Sequence, residues 1–148
     1  MRMILVGAVM LLACLSGAVR ADEASAVKAV EKLGGKVTRD DKLPGKPVIA
    51  VNFNLNPVTD AALKELADLK QLTTLDLSLT QVTDAGLKEL KDLKQLTSLY
   101  LYGTVTGAGL KELKDLKQLT TLNLAETKVT VDGVADLQKA LPGCKINR

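Results

Sequence analysis

Histidine and tryptophan are absent from this 148-residue chain, and one Phe and two Tyr are its whole aromatic complement. Without histidine there can be no His-ligated metal, no Ser-His-Asp triad and no Cys-His pair. Two cysteines are too few for a tetrathiolate zinc site or a disulfide-stapled scaffold. Charge of one sign is also lacking, with 20 basic residues facing 17 acidic ones. A phosphate-cradling loop is missing as well. Gly34-Gly35-Lys36-Val37 and Gly45-Lys46-Pro47 have neither the Ser/Thr nor the glycine spacing of a Walker loop. Gly103, Gly107 and Gly109 are spaced wrongly for a dinucleotide site, and no calcium loop of the DxDxDG kind occurs. No cofactor, no metal and no catalysis are expected. With so few aromatics, any core must be assembled from Leu and Val, and it must be broad or repetitive.

The first residues read as an export signal. Arg2 supplies a positive start, residues 4–15 are an almost unbroken apolar run, and Val19-Arg20-Ala21 precedes a cut before Asp22. About twelve apolar residues are too few for a membrane span of roughly twenty. Two rival readings are an uncleaved anchor and a lipobox at Leu11-Leu12-Ala13-Cys14, which would lipidate Cys14. Cleavage after Ala21 removes Arg2 and Arg20 and leaves 18 basic against 17 acidic residues, with Cys144 as the only thiol. So balanced a chain has no electrostatic case for nucleic acid or an anionic membrane. The expected location is the periplasm or the extracellular space.

The rest of the chain repeats. Residues 58–81 read VTDAALKELADLKQLTTLDLSLTQ, residues 82–104 VTDAGLKELKDLKQLTSLYLYGT, and residues 105–128 VTGAGLKELKDLKQLTTLNLAETK. Within a unit, Leu87, Leu90 and Leu93 recur every third residue as a helical stripe, and Leu99 and Leu101 alternate as in a strand. Each unit is therefore predicted to be a helix followed by a short strand. Thr83 is placed to cap that helix, and Asp84 to face the positive end of its dipole. One such unit cannot bury its own apolar face, but a stack of them can. The charges at Glu65, Glu89, Glu112, Asp68, Asp92 and Asp115 also recur with the repeat, as a solvated helix face would. Lys64–Asp68, Lys88–Asp92 and Lys111–Asp115 are expected to pair across four residues. The second unit is one residue short, and Gly107 replaces the Asp that opens the other two helices. These two defects single out 103–109 as the weakest interior stretch.

The sequence LxxLxLxxT followed by VTDAGLKEL resembles the leucine-rich repeat proteins. The likeness extends to the repeats of F-box-associated chains and, more strongly, to the compact, nearly identical repeats of exported planctomycete proteins. It covers about residues 25–148. With no F-box segment in these 148 residues, a ubiquitin-ligase role is not expected. The resemblance implies an α/β solenoid arc, with parallel strands on the concave side, helices on the convex side and a cap at each end. The domains expected are a signal peptide (1–21), an N-terminal cap of helix plus edge strand (22–47), the leucine-rich repeats (48–130) and a C-terminal capping repeat (131–148).

Two columns of residues follow from this frame. Asn56, Thr80, Thr104 and Thr127 occupy the same place after each strand. In the resembling proteins that place holds a polar ladder bonding the loop backbone, which stacked loops require. The strand residues facing away from the leucines are Asn52, Asn54, Thr74, Asp76, Ser78, Ser98, Tyr100, Tyr102, Thr121 and Asn123, and these vary between units. Both tyrosines fall in this set, and Tyr is a good interface anchor. The function expected is that of an exported, monomeric interaction module binding a protein or peptide on its concave sheet. The alternative is a structural, envelope-associated repeat protein without a dedicated partner.

Overall fold

The computed structural model describes residues 12–103 and 105–148. Residues 1–11, which hold half of the expected export signal, lie outside the described residues, as do the Cys14 side chain and Thr104 of the polar ladder. Six strands form one sheet in chain order: β1 (Lys36–Arg39), β2 (Val48–Asn52), β3 (Thr74–Asp76), β4 (Ser98–Tyr100), β5 (Thr121–Asn123) and β6 (Lys145–Asn147). β2 to β6 run parallel, as expected for stacked repeats, and only β1 runs antiparallel to its neighbour. The reason lies in the connection. The link between β1 and β2 is too short for a parallel crossover, which needs about a dozen residues or more. The first helix, α1 (Leu12–Lys32), continues unbroken across the expected cleavage point. It packs on the Glu65–Asp68 turn of the first repeat and buries Ala26, Val27 and Val30. Among the described residues, no helix is long and apolar enough to cross a membrane.

The register shows how the units stack. Leu75, Leu99 and Leu122 are direct partners on adjacent strands, and each is completely buried. Leu63, Leu66, Leu69 and Leu72 of the first unit, and their counterparts in the next two, join them in one continuous core. The core runs the length of the sheet, which is why the chain needs so few aromatic side chains. The short second unit breaks none of this. Ser98 pairs with Thr121, so the missing residue is absorbed in the loop after β4.

The convex elements differ from the α-helices expected. α2 (Asp60–Lys64) is a single α-helical turn, and the corresponding segments Glu65–Asp68, Gly86–Asp92 and Gly109–Leu113 are 3₁₀. The cause is the leucine spacing itself. Residues three apart eclipse one another in a 3₁₀ helix of three residues per turn. Leu87, Leu90, Leu93 and Leu96 therefore all face the core, and each is buried. The backbone bonds follow the same step, with Leu93 N–H donating to the Leu90 carbonyl at 3.0 Å and Leu96 N–H to that of Leu93 at 3.1 Å. The same geometry removes the expected charge pairs. In a three-residue turn, positions four apart lie about 120° around the axis. Lys64–Asp68, Lys88–Asp92 and Lys111–Asp115 do not pair. Among the described residues the ion pairs are Arg39–Glu23, Lys46–Asp41 and Lys139–Asp136. The last of these holds the Asp136 carboxyl below its ordinary pKa, through the hydrogen bond from Lys139.

Each loop after a strand turns through one left-handed residue at an equivalent position: Leu55 (φ 65°), Leu79 (φ 56°), Gly103 (φ 111°) and Glu126 (φ 57°). Only Gly103 adopts that conformation without penalty. Leu79 is also half exposed, so it gains little from burial in return. Leu79→Gly should raise the stability of the protein by roughly 0.5 kcal/mol, read as a higher urea midpoint at unchanged slope.

Candidate functional site

The open face of the sheet is built by alternation. In β3, β4 and β5 the central leucine is buried and the residues on either side are half-buried. Two rows cross the strands on that face. One runs Ala50, Thr74, Ser98, Thr121, Lys145, and the other Asn52, Asp76, Tyr100, Asn123, Asn147. Asn52, Asn54 and Tyr102 are exposed, while Thr74, Asp76, Ser78, Ser98, Tyr100, Thr121 and Asn123 are half-buried.

Three of these residues carry a local task that sequence reasoning did not assign. Asn52 Oδ1 accepts from the Asn54 N–H at 2.8 Å, Asp76 Oδ1 from the Ser78 N–H at 2.9 Å, and Asn123 Oδ1 from the Ala125 N–H at 2.9 Å. Each is an Asx turn that bends the chain out of its strand. Tyr100 stands in the same row and has no such oxygen to offer its own backbone. Among the row's members on β2 to β5 it is the one whose side chain is not explained by the turn beneath it, and Tyr102 lies two residues further along the chain.

Polar side chains elsewhere in the repeat are committed to the stack. Thr80 Oγ1 donates to the Leu77 carbonyl at 2.8 Å, Thr127 Oγ1 to the Leu124 carbonyl at 2.5 Å, and Asn56 Nδ2 to the Gly34 carbonyl at 3.1 Å. A second ladder, missed in the sequence, precedes the strands. Thr73 Oγ1 donates to the Ile49 carbonyl at 2.9 Å, Thr97 Oγ1 to that of Thr73 at 3.0 Å, and Thr120 Oγ1 to that of Thr97 at 3.1 Å. The signal was present as the Thr in each QLT triplet.

A third device joins repeats across the convex edge. Asp60 accepts from the Thr83 N–H and from its hydroxyl, both at 2.7 Å. Asp84 accepts from the Thr106 N–H at 2.7 Å and also from the Thr106 hydroxyl. The carboxylate expected at the start of its own helix is instead used by the next unit. Thr83 does act locally, its hydroxyl accepting from the Ala85 N–H at 3.3 Å. The glycines follow from this. A Cβ on Gly86 would lie 2.3 Å from Asp60 Oδ1, and one on Gly109 2.5 Å from Asp84 Oδ1. The first unit carries Ala62 at that position.

Among the described residues, no group of three His, Cys, Asp or Glu side chains could hold a metal, and no buried side-chain nitrogen or oxygen lacks a partner. The described cysteine Cys144 is buried and unpaired, and burial pushes its thiol pKa up, the opposite of what a nucleophile needs.

Residues 70–91 match the family model for a leucine rich repeat. No curated protein matches the chain. Among solved structures 39 chains match. One is an internalin from Listeria monocytogenes, 24% identical, with a TM-score of 0.39. The match covers 57% of this chain and 30% of the internalin chain. The residues matched by the family model run from the end of one convex turn, through β3, to the next convex turn, and the units on either side keep the same leucines and the same sheet register. Residues 70–91 are thus one leucine-rich repeat, set in a stack of like units.

Proposed function

We propose that the protein is an exported interaction module that binds a protein or peptide across the open face of its sheet, and that it catalyses no reaction. One observation carries this reading: Tyr100 and Tyr102 stand on and just beyond the middle strand of the five parallel ones, in a row where Asn52, Asp76 and Asn123 are tied up in turns. A half-buried Tyr flanked by an exposed one offers large contact area at little rotamer cost, and hot spots concentrate in such residues near the centre of an interface. The row around them, with Thr74, Ser98 and Thr121 on one side and Asp76 and Asn123 on the other, supplies a polar rim of small side chains. Export rests on the apolar run after Arg2.

The test is Tyr100→Ala combined with Tyr102→Ala in a quantitative affinity capture from the envelope and secreted fractions. Retention of the partner should fall at least tenfold, corresponding to about 1.4 kcal/mol or more, with the circular dichroism spectrum unchanged. A double variant that folds and retains the same partners would remove the open face as the binding site.

A further inference from the structure

The clamp between repeats is made at two seams and missing at the third. Asp60 holds Thr83 over Gly86, and Asp84 holds Thr106 over Gly109. At the next seam the receiving half is intact, with Thr130 and Gly133 in the corresponding places, but Gly107 stands where the carboxylate should be. Thr130 has turned to its own helix, α3 (Val131–Ala140), where its hydroxyl accepts from the Gly133 N–H at 3.1 Å. Nothing steric forbids a side chain at 107. A Cβ there would lie 3.6 Å from Thr130 Oγ1 and 3.9 Å from Thr130 N, and the φ of Gly107 is not in the left-handed region.

Beyond this seam the chain carries a tie of its own. Gln138 Nε2 donates to the carbonyls of Leu141 and Cys144, at 3.0 and 2.9 Å, joining the end of α3 to the start of β6. Residues 129–148 are held to the stack by the β5–β6 ladder with its flanking bonds from Lys145 N–H to the Thr120 carbonyl and from Leu124 N–H to the Asn147 carbonyl, both at 2.7 Å, by an exposed bond from Lys117 Nζ to the Ala140 carbonyl, and by Val129, Leu137, Leu141 and Cys144 in the shared core. In a repeat stack each unit is held by its neighbours alone, so a terminal unit lacking one of its seam contacts opens first.

We propose that residues 129–148 open from the stack as one body at the Gly107–Thr130 seam while the repeats stay folded. Opening bares the Thr121–Asn123 edge and the thiol of Cys144. The bared edge is a parallel strand whose backbone groups can pair with another chain.

The full-length protein is tested by amide hydrogen exchange together with alkylation of Cys144 by iodoacetamide, both read peptide by peptide so that Cys14 is counted separately. In the parent, amides of α3 and β6 should exchange at least tenfold faster than those of β3 and β4, and Cys144 should be alkylated at the rate of that faster opening. Gly107→Asp supplies the missing carboxylate and should slow both at least tenfold without changing β3. Asp84→Ala makes the converse vacancy one seam earlier, so that protection should fall by a similar factor across 105–148. Uniform exchange along the parent chain overturns the proposal, and so does a folded Gly107→Asp protein whose Cys144 reacts as fast as the parent's.

Discussion

Leu99→Ala should destabilise the protein by about 3 kcal/mol, near the middle of the range for a fully buried leucine. Leu99 has no exposed surface and sits directly between Leu75 and Leu122 on the flanking strands. Its neighbours cannot close over the gap, because each is fixed by its own strand register and by the turn behind it. A cavity that cannot collapse costs the lost transfer energy plus the lost contacts. In urea the midpoint should fall with the slope unchanged, and in a thermal scan the midpoint should drop by about 10 °C for a chain of this size. Leu99→Asp puts a carboxylate in the same place without a partner and should abolish cooperative folding. A loss below roughly 1 kcal/mol for Leu99→Ala would mean that the units do not share an interior.

The stacking was legible in the sequence because it is written in spacing. The alternation of Leu99 and Leu101 places strands, the nearly equal periods place them in register, and the observed partners Leu75, Leu99 and Leu122 follow. The convex turns were legible in outline only. A leucine every third residue reads as a helical stripe, whereas it is the period of a 3₁₀ helix, and the expected Lys–Asp pairs fail for that same reason. The contacts between units were not legible, because a repeat aligned with its neighbour shows which residues recur and not which residue reaches across. Asp84 reads as a helix start until Thr106 is seen to donate to it. A weaker signal was available. The units carrying Gly86 and Gly109 each follow a unit with an Asp at its third position, and the unit with Ala62 does not. The candidate site was legible as a face but not as a set of free groups, since the Asx turns of Asn52, Asp76 and Asn123 depend on a bend that no periodicity announces.

The clamp makes a second strong prediction, on which the reading of those glycines depends. Gly86→Ala should destabilise the protein by about 2 kcal/mol, the cost of forcing a methyl group into a filled space. The three atoms nearest to it all belong to Asp60: Oδ1 at 2.3 Å, Cγ at 2.9 Å and Cβ at 3.1 Å. The carboxylate can yield only by giving up the Thr83 N–H and hydroxyl, both held at 2.7 Å. Asp60→Ala should cost a similar amount by itself, about 2 kcal/mol, because hydrogen bonds to a charged group are worth roughly 1.5–3 kcal/mol and the Thr83 donors are left behind. The two losses should not add. With Asp60 already shortened to Ala, the two nearest atoms are gone and only the Cβ at 3.1 Å is left, a contact relieved by a shift of a few tenths of an ångström, so the double variant should be no less stable than Asp60→Ala alone. The coupling in the cycle should therefore approach the whole cost of Gly86→Ala, about 2 kcal/mol, within the range seen for side chains in direct contact. Losses that add within about 0.5 kcal/mol would show that Gly86 is required by its own turn and not by the carboxylate of the preceding repeat. Helix propensity works against that outcome, since it favours Ala over Gly by up to about 1 kcal/mol. On the Asp60→Ala background that preference should surface as a small gain, which makes the sign of the second substitution, and not only its size, the decisive reading.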